Sequence, residues 1–168
     1  VKPLSALPAG THVFVDTNIF VFYYTYQGEL QQASREFLKR TASDVLHGFT
    51  SALVAAEVIH RVLVAEAAEQ LALSSRETIE YLQKHPQLVK QLTRHLAVPS
   101  DMRRMGMDIL PLTHQELHRS KAIRSTSGLL TNDSLMVATM QRHKIADLAT
   151  NDTGFARVAG RRVWRPEH

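Results

Sequence analysis

Thr11-His12-Val13-Phe14-Val15-Asp16-Thr17-Asn18 is the stretch that decides how the chain is read. The first five residues form a short β-branched and aromatic run. It ends abruptly in Asp16-Thr17-Asn18 and gives way to Ile19-Phe20-Val21-Phe22. That order fits a buried strand followed by a loop and a helix. An acid standing where an apolar strand runs out is a placement of interest, because ligands of open α/β sheets collect at the carboxyl ends of the strands.

Working outward, Gln31 to Arg40 sets Ala33, Phe37 and Leu38 on one side of a helix, and Val45 to Thr50 reads as a second short strand. Thr50 or Ser51 can cap a long helix from Ala52 to about Gln70, whose Val54, Val58, Val62 and Ala65 recur at helical spacing, with Glu57 in its second turn. From 71 to 107 the pattern is helical again: Ser74-x-x-Glu77 is a capping box, Pro86 interrupts, and Leu88, Leu92 and Leu96 continue an apolar stripe. A helical hairpin inserted around 71–107 is expected there, as a lid or a dimer surface. Asp108 to Leu112 suggests a third strand limited by Pro111, and His114 to Ile123 a short basic helix. Asp133 to His143 follows as a helix capped by Thr131 or Asn132. Asp147 to Thr150 is a short strand ending at Asn151-Asp152-Thr153-Gly154, and Arg162-Val163-Trp164 a final edge strand. Strands alternating with helices predict an α/β fold, a central mainly parallel β-sheet flanked by α-helices, formed by a single domain over 1–168.

The 44% hydrophobic and 21% charged composition is that of a globular protein. The absence of cysteine excludes disulfides and thiolate zinc sites and suits a reducing cytoplasm. Val1-Lys2-Pro3-Leu4-Ser5 carries no long apolar region, and runs such as Ala52 to Ala56 fall far short of the roughly 20 residues that span a bilayer. A soluble, cytoplasmic protein without membrane contact is the expectation. The net charge of +4 lets the surface attract a polyanion. Arg157, Arg161, Arg162 and Arg165 crowd around Trp164, and Arg119, Lys121 and Arg124 form a second group. These groups read equally as a solvated basic surface.

Four acids stand out: Asp16 and Asp152 after apolar strands, Asp133 opening a helix, and Glu57 on the apolar side of its helix. Each alone has a structural explanation. Asp16 can cap the next helix, Asp133 can favour the positive end of its own, Glu57 can pair with Arg61, and Asp152 can close a turn with Gly154. Their joint occurrence at strand ends points instead to one cleft.

Asp16-Thr17-Asn18 after a strand, mid-helix Glu57, Asn132-Asp133-Ser134-Leu135 opening a helix, and Thr150-Asn151-Asp152-Thr153-Gly154-Phe155 resemble, in order and spacing, the four motifs of PIN domains. The resemblance runs from about Val13 to Trp164 and is closest to VapC-like toxins of toxin–antitoxin pairs. It implies a PIN-like fold and an endoribonuclease in which Asp16, Glu57, Asp133 and Asp152 are the catalytic, Mg2+- or Mn2+-holding acids. Asn18 and Thr150 occupy the supporting polar positions, fixing carboxylate rotamers or meeting phosphate. It also implies an RNA substrate, a small antitoxin partner that blocks the cleft and a homodimer. Hard oxygen ligands shared among one or two ions suit Mg2+, which neutralises phosphodiester charge and makes water nucleophilic. Arg157, Arg161 and Arg162 are the expected RNA-binding cations around the acidic mouth. The segment from about Leu71 to Met107 is longer than the shortest members require, which bears on target choice and dimer geometry.

Other classes fit less well. The seven glycines form neither a dinucleotide-binding nor a Walker loop. Position 18 is Asn where an aspartyl-phosphate phosphatase of the haloacid dehalogenase type has a second Asp. None of the nine histidines forms His-Glu-x-x-His. The alternative that stays open is a non-catalytic PIN-like module that binds RNA or protein without cutting, against which the presence of all four acids weighs.

Overall fold

The computed structural model describes residues 1–167. Its strands are β1 (Lys2–Pro3), β2 (His12–Val15), β3 (His47–Ser51), β4 (Met107–Leu110), β5 (Asp147–Ala149) and β6 (Arg162–Arg165). They form one six-stranded sheet in the order β1-β6-β5-β2-β3-β4, and every pairing is parallel. The sheet is thus wholly parallel, and its faces are covered by helices α1 (Thr17–Thr25), α2 (Glu29–Ala42), α3 (Ala52–Leu71), α7 (His114–Ser127) and α8 (Thr131–Arg142). Shorter helices α4 (Ser75–Lys84), α5 (Pro86–Val89) and α6 (Val98–Arg104) lie between α3 and β4.

β2 and β5 sit side by side in the middle, which explains their unbroken apolar character: Val13, Phe14 and Val15 are fully buried, as are Leu148 and Ala149. A strand buried on both faces has no polar side to alternate with. From β2 the chain winds outward through β3 to β4, then returns to build β5 and β6 on the other side. The reversal at β2 and β5 is a topological switch point, where the connections leave in opposite directions and open a crevice. Phe20, Ile19, Phe155, Leu46 and Met140 complete one continuous core around it.

Four expectations are corrected. The 71–107 segment is not one hairpin with a continuous leucine stripe but four short helical pieces. α3 stops at Ala72 in a left-handed conformation (φ 53°), His85-Pro86 separates α4 from α5, and a 3-10 turn over Arg94–Ala97 precedes α6. Proline cannot donate to the preceding turn and pushes its predecessor out of helical geometry, which separates α4 from α5, whereas the leucine stripe is broken further on, between Val89 and Arg94. Leu92 is buried with Ala67 and Leu82 against α3, whereas Leu96 faces solvent. β4 ends before Pro111, which lies beyond the ladder. α8 begins at Thr131 after Leu130, so neither Thr131 nor Asn132 is its cap, and Asp133 lies within the first turn. Finally, β6 is not an edge strand, because the two residues of β1 pair outside it.

Candidate functional site

Asp16 terminates β2 and caps α1, its Oδ1 accepting the Thr17 N–H at 2.6 Å. The cap reading of this residue is therefore right, yet it uses only one carboxylate oxygen. The other, Oδ2, accepts from Asn18 Nδ2 and from the Thr150 hydroxyl, both at 2.6 Å. Asn18 also donates to Thr150 Oγ1 (2.9 Å) and accepts the Asn151 N–H (2.9 Å), while Thr150 Oγ1 accepts the Asp152 N–H (3.0 Å). The loops after β2 and β5, more than 130 residues apart in sequence, are thereby fastened to each other. Arg165, at the end of β6, donates to Asn151 Oδ1 at 2.7 and 3.2 Å and extends the fastening to a third strand.

Asp152 forms a turn with the Gly154 N–H at 2.7 Å, and a Cβ at Gly154 would stand 3.0 Å from Asp152 Oδ1. The glycine leaves room for that carboxylate. Asp133 lies in the first turn of α8, where the helix dipole favours an acid. Arg124 on α7 bonds the Ser134 hydroxyl (3.2 Å) and so holds the start of α8 in place. Glu57, in the second turn of α3, makes no ion pair with Arg61; no ion pair among the described residues involves it.

All four acids and Asn18 line one cleft of about 650 Å³, which continues past His60 and Arg61 toward Ile79. Thr150 is buried behind this wall and acts through Asp16. Burial pushes the Asp16 carboxyl up to about 6, with the charges of Asp133 and Glu57 adding to it, against the lowering by Thr150 and the Thr17 N–H. Asp133 is raised too, first by burial and then by Asp152 and Glu57, with Arg157 opposing. The acids sense one another, and among the described residues none of the four takes part in an ion pair.

Their chemistry fits a hard divalent cation, since all are oxygen donors of like charge gathered at one mouth. Among the described residues no three His, Asp or Glu side chains stand close enough to form a ready metal-binding group. An ion held here would take only one or two carboxylates directly and keep its waters, as Mg2+ does.

The arginines divide. Arg157 acts on Asp133, but Arg161 and Arg162 stand at the start of β6, and in a parallel sheet all strand starts share the edge opposite the acids. Arg162 is paired to Asp147 at the start of β5, and Arg161 donates to the Ile145 carbonyl. Their expected place beside the acidic mouth is corrected; sequence proximity to a strand does not tell which end is near. Arg165, three residues on, is at the acidic end. Sequence reading also missed His60 and Arg61 as cleft residues, although spacing of three and four from Glu57 put them on its helix face.

A parallel α/β sheet with four carboxylates at its switch point defines a class of acidic-cleft domains. The chain belongs to the PIN domain family, whose model matches residues 13–161. A search of curated proteins finds no match. Among solved structures it is similar to VapBC2 from Rickettsia felis bound to a DNA fragment from its promoter: 16% identity, TM-score 0.58, covering 94% of this chain and 100% of that one. It is also similar to a toxin–antitoxin complex from Klebsiella pneumoniae, with 20% identity, TM-score 0.54 and coverage of 94% and 99%. FitAcB from Neisseria gonorrhoeae shares 18% identity at TM-score 0.55, with coverage of 93% and 99%. These likenesses establish a shared fold.

Proposed function

We propose that the protein is a metal-dependent endoribonuclease acting as the toxin of a toxin–antitoxin pair. The observation that carries the reading is the buried Asp16 carboxylate. It is held by Thr150 and Asn18, shares one cleft with Glu57 and Asp133, and makes no ion pair among the described residues. Membership of the PIN family supports nuclease chemistry of the general kind, and the solved complexes that share the fold support a toxin.

Asp16 and Asp133 would hold Mg2+ or Mn2+ directly, with Glu57 and Asp152 completing the site through water or a second ion. When bound, the ion supplies positive charge against the phosphodiester and makes water acidic enough to attack near neutral pH. The protein's own contribution is positional. Thr150 and Asn18 fix the rotamer of Asp16, whose carboxylate lines the cleft with one acceptor site, on Oδ1, still unused. Glu57, which lines the same cleft, would orient the attacking water, and Arg157, whose charge acts on Asp133, would meet a substrate phosphate. An antitoxin would answer the same charge by placing a basic side chain in the cleft, and a homodimer working in the cytoplasm completes the reading. No helix among the described residues is long and apolar enough to cross a membrane.

The test incubates purified protein with total cellular RNA and Mg2+ or Mn2+, beside Asp16→Asn and an EDTA control, and maps new ends by sequencing. Discrete cleavage lost in both controls is expected. Intact RNA in every lane, with folding confirmed, would replace the nuclease with the non-catalytic binding module.

A further inference from the structure

At the opposite edge of the sheet, where the strands begin, a second cavity of about 420 Å³ opens between Lys2, Pro8, His12, Lys144, Arg162 and Trp164. Its only acid, Asp147, is buried and fully engaged. Asp147 accepts from Arg162 Nε (2.7 Å), from Arg162 Nη2 (2.5 Å) and from the Trp164 indole N–H (2.8 Å). This bidentate grip holds the guanidinium in one orientation while the arginine side chain stays 63% exposed, with Nη1 uncommitted among the described residues. Lys2 is held as well, its ammonium 5.5 Å from the centre of the Trp164 ring. Lys144 enters from the turn before β5 in a left-handed conformation (φ 57°).

Pinning β5 to β6 explains Asp147 and Arg162. It leaves Lys144 without a role, and Lys2, whose charge also acts on Asp147, takes part with Lys144 in no ion pair among the described residues. Three cations from three separate segments thus face one cavity whose single carboxylate is already used. Two of the three are restrained by other contacts, so ordering them around an anion costs little further side-chain entropy. A fork-shaped arginine beside lysines is the donor set that meets phosphate oxygens.

We propose that this cavity is a phosphate-binding exosite for the backbone of the RNA strand, a reading that rests on the nucleic-acid function proposed above. It lies one strand length from the acids, about 10 Å along β5 at roughly 3.3 Å per residue. A long strand can therefore occupy both edges of the sheet, whereas a short one reaches only the cleft. Substrate length becomes a determinant of affinity.

Trp164 is the only tryptophan in the chain, so its indole N–H is a unique reporter inside the cavity. Full-length 15N-labelled protein in EDTA is titrated with an uncleavable 2′-O-methyl RNA 20-mer and, separately, with sodium phosphate. The 20-mer is expected to shift the indole peak saturably. A Lys2→Glu/Lys144→Glu double variant should bind it about 10-fold more weakly, with a salt slope shallower by about 1.4, roughly 0.7 for each lost phosphate contact to a single strand. In cleavage assays the same variant should raise KM for long RNA and leave a four-nucleotide substrate unaffected. An indole peak that the 20-mer leaves unmoved, or moves equally in the variant, overturns the exosite. Sodium phosphate binding as tightly as the 20-mer also overturns it, by making the cavity a small-anion site. Because the titration needs no catalysis, an inactive protein would sink the nuclease reading and leave this result standing on its own.

Discussion

Two buried carboxylates of this chain meet opposite fates. Glu116 on α7 is fully buried, and burial alone would raise it. The Thr113 hydroxyl, the Arg142 guanidinium at 2.8 Å and the Thr113 N–H overcome that effect and hold it at about 2. Asp16, also buried, has hydrogen bonds but no ion pair among the described residues, and shares its cleft with two more acids that raise it; it is held at about 6. Desolvation is outweighed by polar partners in one place and prevails in the other. An acid that the fold neutralises is structural, whereas perturbed acids gathered in a cleft are the candidates for function.

The largest effect that sharpens this contrast is expected from Asp16→Asn. Asn caps a helix as well as Asp, so the fold should survive while RNA cleavage falls about 10³-fold, roughly 4 kcal/mol of barrier. A gel-based cleavage series beside circular dichroism checks both halves. Next comes Glu116→Ala, which removes the buried partner of Arg142 and breaks the capping box of α7; a loss of about 3 kcal/mol is expected in urea unfolding, with the folded fraction still active. If this variant lost activity without losing stability, the structural assignment of Glu116 would be wrong.

The pH dependence should separate the two acids by sign. Asp16 binds its proton more tightly folded than unfolded, so in EDTA its contribution declines as pH rises from about 4 to 6, by up to about 3 kcal/mol. Glu116 is depressed, so its contribution is full above about pH 4.5 and disappears as pH falls toward 2. Chemical denaturation at stepped pH, comparing Asp16→Asn and Glu116→Gln with the parent, reads each slope. The smallest effect is metal itself: Mg2+ or Mn2+ at about ten times its Kd should stabilise by about 1.4 kcal/mol, raising Tm by about 3–5 °C. Asp133→Asn should blunt that rise, and equal melting curves with and without millimolar Mn2+ would count against the metal site.

The sequence made the acids legible because apolar runs bracket them. Val13 to Val15 and Leu148 to Ala149 are so uniformly buried that the polar residue after each marks the strand end. What it could not show was direction. Arg162 and Arg165 are three residues apart, yet one braces Asp147 at the strand start and the other braces Asn151 at the acidic end. Leu88, Leu92 and Leu96 keep helical spacing across the break between Val89 and Arg94, so periodicity alone overstated one helix. β1 gives no pattern at all, since two residues are too few to show a period. His60 and Arg61 are exposed on an ordinary helix, and only the fold reveals what they face.

The fastening of Asn18 to Thr150 also has a consequence in time. At about 5–20 residues per second, a ribosome needs roughly 7–26 s to travel the 132 positions between them. Throughout that interval β2 lacks its β5 neighbour and Asp16 lacks its hydroxyl brace. The cluster around Asp16 is therefore assembled late, and the acids of the cleft come together only once the loop after β5 has been made.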